Sequence, residues 1–125
     1  MREMSGRSPR DRLRRQVDRG FQGYPIGTVA FYGPDNLVAT KVAVGIVHRD
    51  GEGVREMGKW ISEGSDVRYD EVIGDEVLAF LQKYAVRTVV TGPGILGCPH
   101  EEGIDYPDGT ACPQCPYWAG RERPI

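Results

Sequence analysis

The chain has 125 residues and a mass of 13.9 kDa, the size of one domain with a modest hydrophobic core. Hydrophobic residues make up 39% and charged residues 27%, a composition too apolar for a disordered chain. No run of about 18 apolar residues is present, so we expect no membrane span, and the arginine-rich start lacks the apolar core of a secretory signal. Three cysteines cannot all pair in disulfides, so we expect free or metal-bound thiols and a cytoplasmic location.

Positive charge is concentrated at the start of the chain. Residues 1–19 contain seven arginines and three acidic residues, whereas the rest of the chain is acidic overall. We therefore treat residues 1–23 as a basic N-terminal arm. Such an arm can attract nucleic acid or an acidic partner, although many basic arms are only solvated. The arginines that nucleic acid would contact are Arg10, Arg12, Arg14 and Arg15.

Ser8 and Pro9 predict the start of a short helix within this arm. Serine is a favoured N-cap, proline fits the first helical position, and Asp11 lies in the first turn, where the helix dipole favours an acid. Gly20 is placed to end the helix. Its apolar stripe is thin, so the helix needs a body on which to dock.

A β-hairpin is predicted with strands over residues 28–32 and 37–48 around the turn Gly33-Pro34-Asp35-Asn36. The bulkier face of the second strand is expected to point into the core. That face carries Val38, Thr40, Val42, Val44, Ile46 and His48. A third, less regular strand is predicted over residues 54–62, with Trp60 as its anchor.

The clearest helix is predicted over residues 71–84, where apolar side chains recur at helical spacing. The face they form consists of Ile73, Val77, Phe80, Leu81 and Tyr84. Asp70 can cap this helix, but Gly74 weakens its first turn, so the helix could begin at Asp75. A short buried strand is predicted over residues 87–91.

These elements predict an α+β fold. We expect a small antiparallel or mixed sheet, one main amphipathic helix and a C-terminal zinc-knuckle lobe. Residues 24–125 are expected to form a single domain, of which residues 94–119 are the zinc-bound lobe.

The C-terminal tail contains the residues that are predicted to bind a metal ion. Cys98-Pro99-His100 is followed by Cys112-Pro113-Gln114-Cys115. Three cysteines and one histidine are a standard tetrahedral set for structural zinc. We therefore expect one structural Zn²⁺ per chain, held by Cys98, His100, Cys112 and Cys115. The Cys-x-His spacing is tighter than usual, so His48 or an acid such as Asp105 stays an alternative to His100 as the fourth ligand.

Several segments of the chain form a recognisable pattern. They are the strings Gly97-Cys-Pro-His-Glu-Glu-Gly-Ile-Asp-Tyr-Pro107 and Cys112-Pro-Gln-Cys-Pro-Tyr-Trp118, with Tyr32-Gly-Pro-Asp-Asn36 and Ala39-Thr-Lys41 in the hairpin. This pattern resembles a group of small uncharacterised bacterial proteins with a GCPHEEGxDYP…CPxCP[YF]W zinc-binding tail. The resemblance spans most of residues 24–123. It implies the metal site and a bacterial origin, and it carries no assigned activity.

Two further motifs in the tail resemble known functional motifs, but the residues around them do not fit the structures that those functions require. Residues 92–97 fit the dinucleotide-binding pattern G-x-G-x-x-G, but a Cys-Pro-His turn follows where that fold requires a helix. His100-Glu101-Glu102 with the later Cys-x-x-Cys is similar to the pattern of zinc deaminases, in which one zinc position stays open to water. Cys98 is available to close that position here.

We expect a non-enzymatic binding or adaptor domain that recognises a protein partner. The zinc loop carries four acidic residues and no Lys or Arg between its first and last cysteine, and aromatic residues near a rigid turn are good interface anchors. The candidate partner contacts are Glu101, Glu102, Asp105, Tyr106 and Trp118.

Two alternatives stay open. The first is a nucleic-acid-binding protein that uses the arginine-rich arm, as basic segments beside zinc knuckles often do. The second is a small zinc hydrolase or deaminase-like enzyme with Glu101 or Glu102 as its base, which requires a metal position open to water.

Overall fold

Two helices and four strands follow one another in the computed structural model, which describes residues 8–119. They are α1 (Pro9–Asp18), β1 (Ile26–Tyr32), β2 (Lys41–Val47), β3 (Glu56–Ile61), α2 (Glu71–Lys83) and β4 (Thr88–Ile95), with short 3-10 turns at Val67–Tyr69 and Pro116–Trp118. The predicted α+β class is confirmed. None of the helices within residues 8–119 is both long and apolar enough to cross a membrane. Residues 1–7 of the predicted arm and 120–125 of the predicted domain lie outside the described range.

The four strands form one mixed sheet in the order β3-β2-β1-β4. β1 and β2 pair antiparallel, with Val29 opposite Val44, and β2 and β3 pair antiparallel, with Val42 opposite Trp60. β4 lies parallel to β1, with Val29 opposite Thr91. The chain reaches this parallel position through α2, which connects the edge strand β3 to the opposite edge of the sheet.

β2 begins four residues later than predicted because carboxylates, and not a partner strand, accept from the N–H groups of residues 37–39. The side chain of Asp35 accepts hydrogen bonds from the N–H groups of Leu37 and Val38 at 2.9 and 3.1 Å. The carboxylate of Asp66 accepts from the N–H of Ala39 at 3.3 Å. Such local side-chain bonds compete with strand pairing, so residues 33–40 form a wide loop and not a tight turn.

Both helices pack on one face of the sheet, and the core lies between them and the strands. The buried side chains of this core are Val29, Ala39, Val42, Val44, Ile46, Val67, Val77, Leu81, Val89 and Ile95. In the predicted face of α2, Val77 and Leu81 are buried, while Ile73, Phe80 and Tyr84 are half-buried against the core. Leu78 is also buried, although it does not belong to the predicted apolar face of α2.

α1 forms as predicted and packs against α2 and β4. The hydroxyl of Ser8 caps it by accepting from the N–H of Asp11 at 3.1 Å. α2 begins at Glu71 and not at Asp75, with Gly74 inside its first turn. A Cβ at Gly74 would lie 2.5 Å from the Cβ of Pro9. The glycine therefore permits the close approach of the two helices, which offsets its low helical propensity.

The opposite face of the sheet carries no helix within residues 8–119. Strand alternation places Ala30, Tyr32, Ala43, Met57, Lys59, Ile61 and Val90 on this helix-free face. Met57 and Ile61 are 53% and 68% exposed. One corner of the helix-free face meets the C-terminal tail at Tyr32 and Lys41, which line a shared groove with the tail.

Replacing Leu81 by alanine tests this core. The side chain is 3% exposed, so truncation leaves a cavity, and we expect the free energy of unfolding to fall by about 2–5 kcal/mol in urea denaturation. Val72→Ala in the exposed part of the same helix is the control and should change stability by no more than about 0.5 kcal/mol. Equal effects of the two substitutions would contradict the orientation of α2.

Candidate metal centre

The four side chains predicted as metal ligands, namely Cys98, His100, Cys112 and Cys115, lie close together. The Nδ1 atom of His100 is 3.3 Å from the Sγ atom of Cys98. The same nitrogen is 3.5 Å from the Sγ atoms of both Cys112 and Cys115. All four atoms lie within 4.8 Å of one another, so a single metal ion between them could contact every one.

Short-range hydrogen bonds shape each half of this cluster. In the first half, the N–H of His100 donates to the Sγ atom of Cys98 at 3.3 Å. In the second half, the N–H of Cys115 donates to the carbonyl of Cys112 at 3.4 Å and closes a turn. The two-residue spacing of that turn brings both of its sulfur atoms to the same side.

The three thiols are buried side by side. Burial and, next to it, the neighbouring thiols Cys98 and Cys112 together raise the pKa of Cys115 to about 12, because the negative charges of adjacent thiolates would repel one another. Burial also raises the pKa of Cys98. Thiolates are favoured in such a place only when a cation compensates them, and a coordinated metal ion provides that charge.

Carboxylates hold the loop that joins the two halves. The side chain of Asp105 accepts from the N–H of Glu101, and the side chain of Glu102 accepts from the N–H of Gly109, both at 2.7 Å. Tyr106 is buried against the cysteines and is 7% exposed. Of the candidate partner contacts, these acids therefore organise the loop backbone, and the Tyr106 ring contributes to the small core of the lobe.

Two lysines from the sheet anchor the Cys/His cluster to the helix-free face. The Nζ atom of Lys41 donates to the carbonyl of Pro99 at 3.0 Å and to the carboxylate of Glu101 at 3.2 Å. Lys59 donates to the same carboxylate oxygen at 2.7 Å. Hydrogen bonds from Lys59 and Lys41 hold the pKa of Glu101 below its usual range. The side chain of Lys41 is only 7% exposed and that of Glu101 is 36% exposed, so the lysine is shielded from solvent while the carboxylate stays partly accessible.

A glycine in the β1–β2 loop makes the second attachment. The N–H of Gly33 donates to the carbonyl of Gly97 at 2.8 Å, and its carbonyl accepts from the indole Nε1 of Trp118 at 2.8 Å. The Trp118 ring packs against both the main core and the cysteine cluster. The backbone of one residue thus connects the beginning and the end of the tail to the sheet.

The alternative fourth ligands lie elsewhere. His48 forms a short hydrogen bond with Glu56 and contacts the ring of Tyr84, with ring centroids 6.1 Å apart. Asp105 is engaged with the loop backbone. Neither belongs to the Cys/His cluster, in which His100 supplies the nitrogen.

The arginines predicted to contact nucleic acid all lie on α1. Arg10, Arg12, Arg14 and Arg15 are exposed, and the guanidinium of Arg10 lies 4.8 Å from the centre of the Tyr69 ring. The G-x-G-x-x-G string has no helix after it: β4 runs through Gly92 and Gly94 to Ile95, and the cysteine cluster follows.

Sequence reasoning missed Lys41, Lys59 and Gly33 as parts of this site. Lys41 and Lys59 are 60 and 42 positions away from Glu101 along the chain, so no local spacing links them. The Gly33 turn was recognised only as turn chemistry. The one available signal was a lysine within the apolar second strand, a residue type that is rarely buried without a partner.

Comparison with protein-family models, with curated proteins and with solved structures finds no match to this chain. The resemblance to small bacterial proteins therefore stays a prediction.

Replacing Gly33 by alanine tests the attachment of the tail. A Cβ at this position would lie 1.9 Å from the carbonyl oxygen of Val38, so the loop must open and disturb both hydrogen bonds of Gly33. We expect the free energy of unfolding, measured in urea, to fall by about 3 kcal/mol because of steric strain and two weakened hydrogen bonds. Gly53→Ala is the matched control, since its Cβ would meet nothing within 4 Å. A Gly33→Ala protein as stable as the control would show that this contact is unimportant.

Proposed function

We propose that the cluster binds one Zn²⁺ per chain through Cys98, His100, Cys112 and Cys115. Zinc–sulfur bonds of about 2.3 Å and a zinc–nitrogen bond of about 2.0–2.1 Å, arranged tetrahedrally, separate sulfur from nitrogen by about 3.5 Å. The three observed separations are 3.3, 3.5 and 3.5 Å. This agreement is the observation that carries the proposal.

The donor set favours zinc over other common metal ions. Three thiolates and an imidazole are soft or borderline ligands, which disfavour magnesium and calcium, and a tetrahedral sulfur-rich set suits zinc. With Zn²⁺ bound, the set carries a net charge of −1. The ammonium group of Lys41 lies next to it on the carbonyl of Pro99, which supports an anionic centre at this position.

The role of the ion in this proposal is structural. Cys98 completes a set of four protein ligands, so no position is left for a water molecule. The two acids that a hydrolase would use as a base are engaged: Glu101 by the lysines and Glu102 by the N–H of Gly109. These contacts favour a non-enzymatic protein over the hydrolase or deaminase-like alternative.

The zinc lobe and the helix-free face together support a module that binds a protein partner. The exposed side chains of Met57 and Ile61 lie on that face, where no helix within residues 8–119 covers them. Exposed apolar side chains bordered by polar residues are typical of interaction surfaces. The acidic loop lies at the corner of this face, beside Lys59, and would add charged contacts at its rim.

Nucleic-acid binding is a second candidate and rests on α1. The side chains of Arg12 and Arg15 are exposed on this helix. Contacts to phosphate would come from these arginines, because the zinc loop is acidic and would repel a phosphate backbone. We place this candidate second because the cluster, which is the best-defined site, contributes nothing to it.

Metal analysis of two histidine variants tests the ligand set. The purified protein should contain about one zinc per chain, with three sulfur atoms and one nitrogen in its X-ray absorption spectrum. His100→Gln should weaken zinc binding more than about a hundredfold, because it removes a ligand and not merely its support. His48→Gln, the only other histidine substitution that the chain allows, should leave zinc content unchanged. A water oxygen among the zinc ligands would contradict the structural role.

Hydrogen exchange with and without a strong chelator tests what the ion holds together. Metal binding supplies folding energy to a segment that cannot assemble its ligands alone. Chelation should therefore expose the amides of residues 97–118. The N–H of Gly33, which is bonded to the carbonyl of Gly97, should lose protection with them.

The amides that pair β1 with β2 serve as the internal reference and should keep most of their protection. A uniform loss of protection from residue 28 to residue 118 would show that lobe and sheet unfold as one cooperative unit. Unchanged protection of the lobe would show that the ion does not support its structure.

A further inference from the structure

A cleft lies between α1, α2 and the helix-covered face of the sheet. Its volume is about 340 Å³, and apolar side chains from all three elements form its walls. The most prominent of these are Leu13, Val17, Val29, Phe31, Ile73 and Val77. This volume is at the low end of the range for small-molecule sites, so the cleft has room for one small ligand.

The cleft stays open because two of its borders lack side chains that would fill it. α1 contributes only a thin apolar stripe, of which Leu13 and Val17 are half-buried. On β4, Gly92 and Gly94 border the cleft, and a Cβ at Gly94 would meet nothing within 4 Å. The apolar walls of the cleft are therefore partly accessible at these positions, where larger side chains on β4 would have covered them.

Positive charge borders the same cleft. Arg10, Arg14 and Arg68 line it together with one acid, Asp18. The guanidinium of Arg68 is already held by the carboxylate of Asp66, with nitrogen–oxygen distances of 2.9 and 2.7 Å. Within residues 8–119 neither Arg10 nor Arg14 forms an ion pair. The three arginines, Asp18 and Asp66 together carry a net charge of +1.

We propose that this cleft binds a small amphiphile that has an apolar chain and a single carboxylate. The apolar walls would bury the chain, and burial of each methylene group favours binding. The carboxylate would lie at the rim, where Arg14 and Arg10 can donate charge-assisted hydrogen bonds. The one unbalanced positive charge of the rim matches the one negative charge of such a head group.

Neither half of this ligand would suffice alone. A small inorganic anion would leave its polar oxygen atoms against the apolar walls, which costs free energy unless they are hydrogen-bonded. An apolar molecule with a cationic head would meet the arginines and be repelled. A medium-chain fatty acid combines the two required properties at a size that suits the cleft.

Calorimetric titration of the full chain with decanoate tests the proposal. Acetate supplies the head group without the chain, and decyltrimethylammonium supplies the same chain with the opposite charge. We expect saturable binding of one decanoate per chain, no measurable binding of acetate, and binding of the cationic amphiphile weakened at least about tenfold. Absent decanoate binding, or equal binding of both amphiphiles, would overturn the proposal.

A matched pair of arginine substitutions locates the head group. Arg14→Gln should weaken decanoate binding about tenfold, because a charge-assisted hydrogen bond is lost. Arg12→Gln removes the same charge from α1 at an exposed position that does not line the cleft, and it should leave the affinity unchanged. Equal effects of the two variants would show only a general response to charge and would overturn the assignment to the cleft.

Two-dimensional NMR of the unmodified chain provides a test that needs no variant. Decanoate should shift the methyl signals of Leu13, Val17 and Ile73, which line the cleft. Shifts confined to Met57 and Ile61 would place the ligand on the helix-free face and would overturn the proposal.

Discussion

The C-terminal tail depends on the convergence of four side-chain atoms within 4.8 Å. Residues 97–118 contain few apolar side chains, and their small core consists of the three cysteines, Tyr106 and part of Trp118. A core of this size contributes little hydrophobic free energy, and fixing each backbone residue costs about 1–2 kcal/mol. A metal ion held by this cluster would supply the difference, because its binding free energy becomes folding free energy when the ligands assemble only in the folded chain.

The position of the Cys/His cluster is determined by contacts with the sheet. Gly33 bonds to Gly97 through its N–H and to Trp118 through its carbonyl, while Lys41 and Lys59 hold Glu101. The interactions differ in kind, since two involve a backbone and two involve charged side chains. Together they attach the lobe at two separate points, which limits its rotation relative to the strands.

The two faces of the sheet differ in what covers them. The helix-covered face forms the core and leaves a concave apolar cleft beneath α1, bordered by Arg10 and Arg14, neither of which forms an ion pair within residues 8–119. The helix-free face presents the exposed side chains of Met57 and Ile61 beside the C-terminal lobe. Small-molecule sites are typically concave, whereas exposed apolar side chains bordered by polar residues are typical of protein interfaces. The proposed metal ion supports the second of these surfaces by holding the lobe at its corner.

The sequence by itself determined the class of the fold, the face of α2 and the four residues of the cluster, because helical spacing and short Cys/His spacing act over neighbouring positions. It placed the start of β2 too early, since nothing local showed that the carboxylate of Asp66 would take the N–H of Ala39. It also treated Gly74 as a weakness, whereas only the packing of Pro9 shows why a side chain is excluded there. Three features depend on the tertiary structure alone. His48 pairs with Glu56, two lysines of the sheet bind Glu101, and a cleft stays open between the helices and the sheet. These features join residues far apart in the chain, and such contacts exist only once the strands and helices have taken their places.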